Sequence, residues 1–427
     1  MSFDSLVKAA GRDSDPATGV RFAKLEEYYD GKVRLDAIGV SLPPKVRVLE
    51  MVAPFPRLSI DVLSEVLSPE GFILGDDADT PALLRRWWQA NNLDTVSRLA
   101  IVEALVQGDA YWVVGRGTDK IPRITAHPRR GVAVSYDHMG GVAEAVMRYT
   151  AGGLRTAVHF EPGLNTYYVQ RKDGAEWQPY EEIETGVSRP TIVPMRNLDR
   201  LGDLCGRSEI HGTVRQVADA ASRTLTQLQL SQELLASPPR YVFGEKVDAG
   251  MYNRLKHYIG GVITIGGKGS ESTQIGQLSG ADLSQFSNSY KLYAQIISSI
   301  TGVPPSMLGI STDNPASAEA MRVAKDRLIT RAEAKSSMFG DDLEDVARIA
   351  LEMYDQLPED HDLLELRWRD PATPSESART AALLQAQAQG VIGAETAREG
   401  LRLTPQQLAR ENAQSASMAR SLGQLGG

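Results

Sequence analysis

Six apolar side chains past the middle of the chain, Leu283, Phe286, Tyr290, Tyr293, Ile297 and Ile300, recur at spacings of 3-4-3-4-3 without a slip. That rhythm is the seam of an α-helix packed on another helix. Residues 211–236, HGTVRQVADAASRTLTQLQLSQELLA, carry a second seam of Val214, Val217, Ala221, Leu225, Leu228 and Leu235. Between the two lie RYVFGE, GVITIGG and TQIGQL, short strand-like runs around a helix-like MYNRLKHYI, after a stop at Ser237-Pro238-Pro239. The simplest geometry is an antiparallel helix pair with a compact insert of roughly 45 residues at its tip. Any fold for this chain must accommodate that stalk.

The flanks read as mixed α and β. Residues 20–110 are helical: VRFAKLEEYYDGKVRL breaks at Asp30-Gly31, and FPRLSIDVLSEVL places Leu58, Val62, Leu63 and Val66 on one face and stops at Ser68-Pro69. Thr80-Pro81 is an N-cap followed by proline at the first helical position, opening two helices with a bend near Asn91-Asn92. From Asp109 to about residue 190 the period becomes two, predicting strands of one antiparallel sheet separated by glycine-rich turns. After TGVPPSMLGISTDNPAS comes a long helix, running as far as Gln356 if Gly340 does not interrupt it. Its stripe is Met321, Leu328, Ala332, Phe339, Leu343, Val346, Ala350 and Met353. LLELRWRDP then reads as a strand, and the chain beyond Pro374 as polar, Ala- and Gln-rich helix.

Little in this chain suggests catalysis. GGKGS at 266–270 fails the phosphate-loop pattern, because Gly269 stands where Ser or Thr should bind magnesium. None of the six histidines pairs with another at metal-ligand spacing, no serine sits in GxSxG, and no metal or cofactor site is expected. Asp76-Asp77 reads as a turn and Asp341-Asp342 as a solvated helix face. Trp87, Trp88 and Trp112 read as core, and Arg129-Arg130 is too short for a nucleic-acid patch. Arg322, Lys325 and Arg331 lie on the polar side of the long helix, where solubility and a pairing of Arg322 with Asp326 explain them. The net charge of −8 argues against a broad basic surface that grips nucleic acid. One cysteine, Cys205, excludes a disulfide framework and favours a reducing cytoplasm for assembly. Neither a signal peptide nor a membrane span is expected.

The order and spacing of several segments resemble the portal proteins of tailed double-stranded DNA phages, in the siphophage branch. They are LEEYYDGKVRL (25–35), RLSIDVLSEVLSPEGF (57–72), RRWWQANNLDTVSRLAIVEALVQGDAYWVV (85–114), YAQIISSITGVPPSMLGI (293–310), SAEAMRVAKDRL (317–328) and PSESARTAALLQAQAQGVIGAETA (374–397). APFPRLSID stands where family members often carry an Asn-Trp-Cys stretch. The resemblance implies an α+β subunit of a ring, usually of twelve copies, at one capsid vertex of the virion. It maps a wing onto 1–207 and 317–373, stem helices onto 208–237 and 280–302, a small α/β clip onto 238–279, a tunnel loop onto 303–316 and a helical crown onto 374–427. In that scheme Gly309, Ile310, Ser311, Thr312, Asp313 and Asn314 line the DNA channel, with Pro304-Pro305 ending the stem helix. Arg240, Lys246, Arg254, Lys256 and Lys268 form the clip's docking surface. Implied partners are the large terminase, a head-tail adaptor, a major capsid or scaffolding protein and the transported duplex. The alternatives are a nuclease or motor ATPase, disfavoured by the missing motifs, and a non-ring scaffold with a coiled-coil stalk.

Overall fold

The computed structural model describes residues 2–16, 18–35, 49–75, 77–172, 174–236, 240–243, 262–265, 274–277, 282–310, 318–372, 376–393, 397 and 400. Two compact units make up the chain, Met1–Arg369 and Asp370–Gly427.

The first unit opens with α1 (Phe3–Ala10), α2 (Phe22–Tyr29) and α3 (Phe55–Val66). The strand β1 (Pro69–Leu74) follows, then α4 (Asp79–Ala90) and α5 (Leu93–Gln107). The cap of α4 lies upstream of Thr80. Asp77 Oδ1 accepts from the amides of Asp79 at 2.8 Å and Thr80 at 3.4 Å, which moves the helix start to Asp79. The bend at Asn91-Asn92 is present, with Asn92 left-handed at φ 54°. Trp87, Trp88 and Trp112 are buried in the main core with Phe55, Ile101 and Leu105, as their patterning implies.

The β region contains β2 (Asp109–Gly115), β3 (Arg123–Pro128), β4 (Val132–Tyr136), β5 (Val142–Ala151), β6 (Leu154–Glu161), β7 (Leu164–Gln170), β8 (Gln178–Glu184) and β9 (Ile192–Arg196). It forms two sheets where one was expected. One is three-stranded in the order β3-β2-β9, and the other is the meander β4-β5-β6-β7-β8. Period-two patterning marks strands without saying which edges pair. Here β9 returns from the far end of the region to lie antiparallel to β2, with Trp112 opposite Val193.

Helices α6 (Gly212–Ala236) and α7 (Ser284–Thr301) pack on one another. Between them, β10 (Arg240–Phe243) is the central strand of a small sheet, parallel to β11 (Val262–Ile265) and antiparallel to β12 (Gln274–Gln277). Arg240 sits opposite Gln277, so the strand that leaves α6 pairs with the strand that leads to α7. The two seam-patterned helices are thus in contact, with a small sheet between them in sequence. The expected helix MYNRLKHYI lies outside the described residues.

The helix α8 (Ala318–Met353) runs 36 residues without a break at Gly340, about 54 Å at 1.5 Å per residue. It stops short of Gln356, where Asp355 turns left-handed at φ 54°. Leu328, Ala332, Phe339, Leu343, Val346, Ala350 and Met353 are all buried along its stripe, and α8 packs on β2, β9 and the last strand of the unit, β13 (Leu364–Trp368). β13 pairs antiparallel with β1, placing Leu366 opposite Phe72. The strand β1 escapes a sequence reading because PEGFIL starts with proline and carries glycine inside, both depleted in strands. In the second unit the described helix is α9 (Glu376–Ala388).

Candidate functional site

The segment that follows α7 is where the sequence expectations place the channel residues. α7 ends at Thr301, and Gly302 caps it at φ 74° with its amide donating to the Ser298 carbonyl at 2.9 Å. The stop is therefore Gly302 and not Pro304-Pro305: the left-handed turn after a helix favours glycine. Pro305–Leu308 then form one 3₁₀ turn, with the Ile310 amide closing onto the Pro305 carbonyl at 3.1 Å. Val303 and Leu308 are buried in the main core, and Met307 and Ile310 pack against it. The turn lies on α3. Of the expected channel residues, Gly309 is exposed and Ile310 half-buried. Ser311, Thr312, Asp313 and Asn314 lie outside the described residues.

The end of α7 is gripped from α8. Arg327 donates to the Ser299 carbonyl and Arg331 to the Thr301 carbonyl. The last carbonyls of a helix have no intrahelical partner and sit at the negative end of its dipole, so cations belong there. Arg331 also pairs with Glu209 Oε2 at 2.6 Å, and Lys335 Nζ lies 3.4 Å from Oε1 of the same carboxylate. Asn197 Nδ2 adds a donor at 3.2 Å. Burial pushes the Glu209 carboxyl up, but Arg331 and Lys335 outweigh it and hold the group below its ordinary range. The entry to α6, the end of α7 and the body of α8 are thus tied at one point. The solvated role expected for Arg331 is corrected by these contacts, while Lys325 is exposed; the side chain of Arg322 lies outside the described residues.

Two further buried charges were missed. Arg129 is 4% exposed and lies between Asp15 at 3.1 Å and Asp109 at 3.2 Å. It also donates to the carbonyls of Gln107 and Gly206. Asp342, expected on a solvated face, is instead enclosed against β9 and accepts from the Arg196 amide at 3.2 Å. Burial pushes its carboxyl up to about 8. A lone charge in a polar-looking string gives no sequence signal of burial; only the strands packed over it do.

The stalk seam is unevenly covered. Val214, Ala221 and Ile297 are buried, and Tyr290 stacks on Phe55 with centroids 5.1 Å apart. Val217, Leu225, Leu228, Leu283, Phe286, Tyr290, Tyr293 and Ile300 remain half-buried. At the tip, Arg240 begins β10, whereas Lys246, Arg254, Lys256 and Lys268 lie outside the described residues. Among the described residues no group of His, Cys, Asp and Glu is placed to hold a metal, and no helix is long and apolar enough to cross a membrane.

The family model described as phage portal protein, SPP1 Gp6-like, matches residues 15–417. The portal protein of Mycobacterium phage D29 is 35% identical over 396 residues, covering 88% of this chain and 81% of the relative. That of Mycobacterium phage L5 is 34% identical over 404 residues, covering 87% and 80%. Among solved structures, a chain in the neck of a native gene transfer agent particle, computed with C12 symmetry, aligns with a TM-score of 0.48 at 16% identity, over 94% of this chain and 98% of that one. With a family match from residue 15 to residue 417 and two relatives above 30% identity, this chain belongs to the phage portal protein family of the SPP1 Gp6-like type.

Proposed function

We propose that this chain is the repeating subunit of a closed ring at one vertex of a tailed-phage capsid. Double-stranded DNA is packaged through the ring by a terminase motor and later ejected through it, and a head-tail adaptor assembles on it. The observation that carries this reading is the match to the portal family over nearly the whole chain. In this reading the chain is a conduit and not a catalyst. Residues 1–207 and 317–373 form the wing, α6 and α7 the stem, 238–279 the clip and 374–427 the crown.

Two physical features support the ring. The stem seam leaves Leu228, Leu283 and Phe286 half-buried, apolar area that neighbouring copies would cover on the second side of each stalk. The net charge of −8 per copy suits passage of a polyanion better than adhesion to it. Gly309, Ile310, Ser311, Thr312, Asp313 and Asn314 then line the channel, following the 3₁₀ turn of Pro305–Leu308. Arg240, Lys246, Arg254, Lys256 and Lys268 face the motor or adaptor.

Sedimentation tests the ring directly. The purified protein should run many-fold heavier than its 46.5 kDa monomer, and a stable, folded monomer at micromolar concentration would overturn the proposal. Removing residues 238–279 should leave rings but abolish DNA packaging; capsids that fill normally with the deletion would refute the clip assignment.

A further inference from the structure

The meander β4–β8 and the sheet β3-β2-β9 enclose a second core of Tyr111, Ala145, Val158, Phe160 and Ile192. This core is open on one side. Val113, Val132, Met147 and Tyr167 are only half-buried there, and they floor a cleft of about 660 Å³, within the ~300–1,000 Å³ range of ligand-binding clefts. Its walls carry Arg116, Arg123, Arg130 and Arg148, and among the described residues no Asp or Glu lines it. Two of the four arginines are committed elsewhere: Arg130 pairs with Asp13 at 2.7 Å and Arg148 donates to the Val7 carbonyl at 3.1 Å. Arg123 and Arg116 are exposed at one end of the β2–β3 ladder, where Arg123 sits opposite Gly115. Arg116 donates to the Thr185 carbonyl at 3.2 Å, and neither has a carboxylate partner among the described residues.

We propose that this cleft docks an acidic peptide segment of another protein, with one aromatic or leucine side chain seated on the apolar floor. The two chemistries must be met together. Guanidinium forks suit carboxylates, and an apolar floor gains only when a side chain displaces its water. A nucleic-acid backbone would satisfy the arginines and leave the floor wet. This chain's own segments outside the described residues are poor occupants. None carries more than one excess carboxylate, and 401–427 has Arg402, Arg410 and Arg420 against Glu411.

Fluorescence anisotropy on the purified full-length protein at low salt tests this with a labelled hexapeptide, Glu-Glu-Phe-Leu-Glu-Glu. It should bind saturably, and its Lys-for-Glu and Ala-for-Phe-Leu counterparts should each bind about tenfold or more weakly, a step of ~1.4 kcal/mol. Arg123→Glu, at a side chain with no carboxylate partner among the described residues, should weaken the acidic peptide by about tenfold. Arg116→Glu should add to that loss, with circular dichroism showing both variants folded. Equal binding of the three peptides, or binding indifferent to Arg123→Glu, would overturn the proposal. So would a short DNA duplex that displaces the peptide and loses affinity in the same variants, which would assign the cleft to nucleic acid.

Discussion

Arg331, in the fourth turn of α8, donates to the carbonyl of Thr301, the last residue of α7, although thirty positions of sequence separate them. Its other nitrogen holds Glu209 at 2.6 Å, three residues before the first residue of α6. One side chain therefore closes the loop that follows α7 and joins it to the root of the stalk.

Replacing Arg331 by Met should cost about 1.5–3 kcal/mol, the range for a partly buried hydrogen-bonded charge. The loss arises because Glu209 keeps its charge with only Lys335 and Asn197 against it. Urea denaturation measures this, and adding Glu209→Gln should recover part of the loss. Unchanged stability in Arg331→Met would show that the contact is incidental.

Asp342 gives a pH dependence of definite sign. Its folded pKa is pushed up to about 8 by burial against β9, far above the value near 4 of an exposed aspartate. Between those values the folded protein binds more protons than the unfolded chain, so this group makes stability fall as pH rises. Asp342→Asn removes the titration. Its melting temperature, relative to the natural protein, should climb steadily from pH 5 to pH 8. A difference constant with pH would mean that the carboxylate is already ionised in the fold.

Arg129 should be the least tolerant position tested. Arg129→Met takes the shared guanidinium away from the buried carboxylates of Asp15 and Asp109, a loss of about 3–5 kcal/mol. The expected result is a protein that aggregates or melts well below the natural one, with partial recovery when Asp15→Asn and Asp109→Asn are added. Full stability of the single variant would show that water replaces the guanidinium at no cost.

For the channel loop, Ser311→Trp or Thr312→Trp should leave folding and assembly intact, because loop positions tolerate bulk. In the proposed ring each indole would be repeated around the axis, so DNA packaging should nevertheless fall sharply. Normal DNA content in capsids built on intact variant rings would show that these residues point away from the channel.

The stalk was legible because helix seams are local: Leu283 to Ile300 and Val214 to Leu228 declare their period without reference to anything distant. The strands from Ala110 to Gln170 were equally plain. Sheet membership was not, because edge pairing depends on partners such as Ile192 and Val193, about eighty residues from the strand they join. The end of α7 was misattributed because proline is a strong stop signal, yet Gly302 acts two residues earlier. The charges of Arg129, Arg331 and Asp342 look alike in sequence to any surface charge. What distinguishes them is the backbone carbonyls and amides that the fold brings to them, and no spacing records that.

The pairing of β1 with β13 has a consequence in time. Pro69 lies opposite Trp368, and the Arg369 amide then donates to the Ser68 carbonyl at 2.8 Å. During synthesis the edge of β1 stays unmatched until nearly three hundred further residues have left the ribosome, and such distant pairings are slow to form. A truncated or half-made polypeptide lacks this closing strand, and with it the surface that seats the far end of α8. The first unit therefore cannot close its β1 edge until Leu364–Trp368 have been made, which couples an early strand to the very end of that unit.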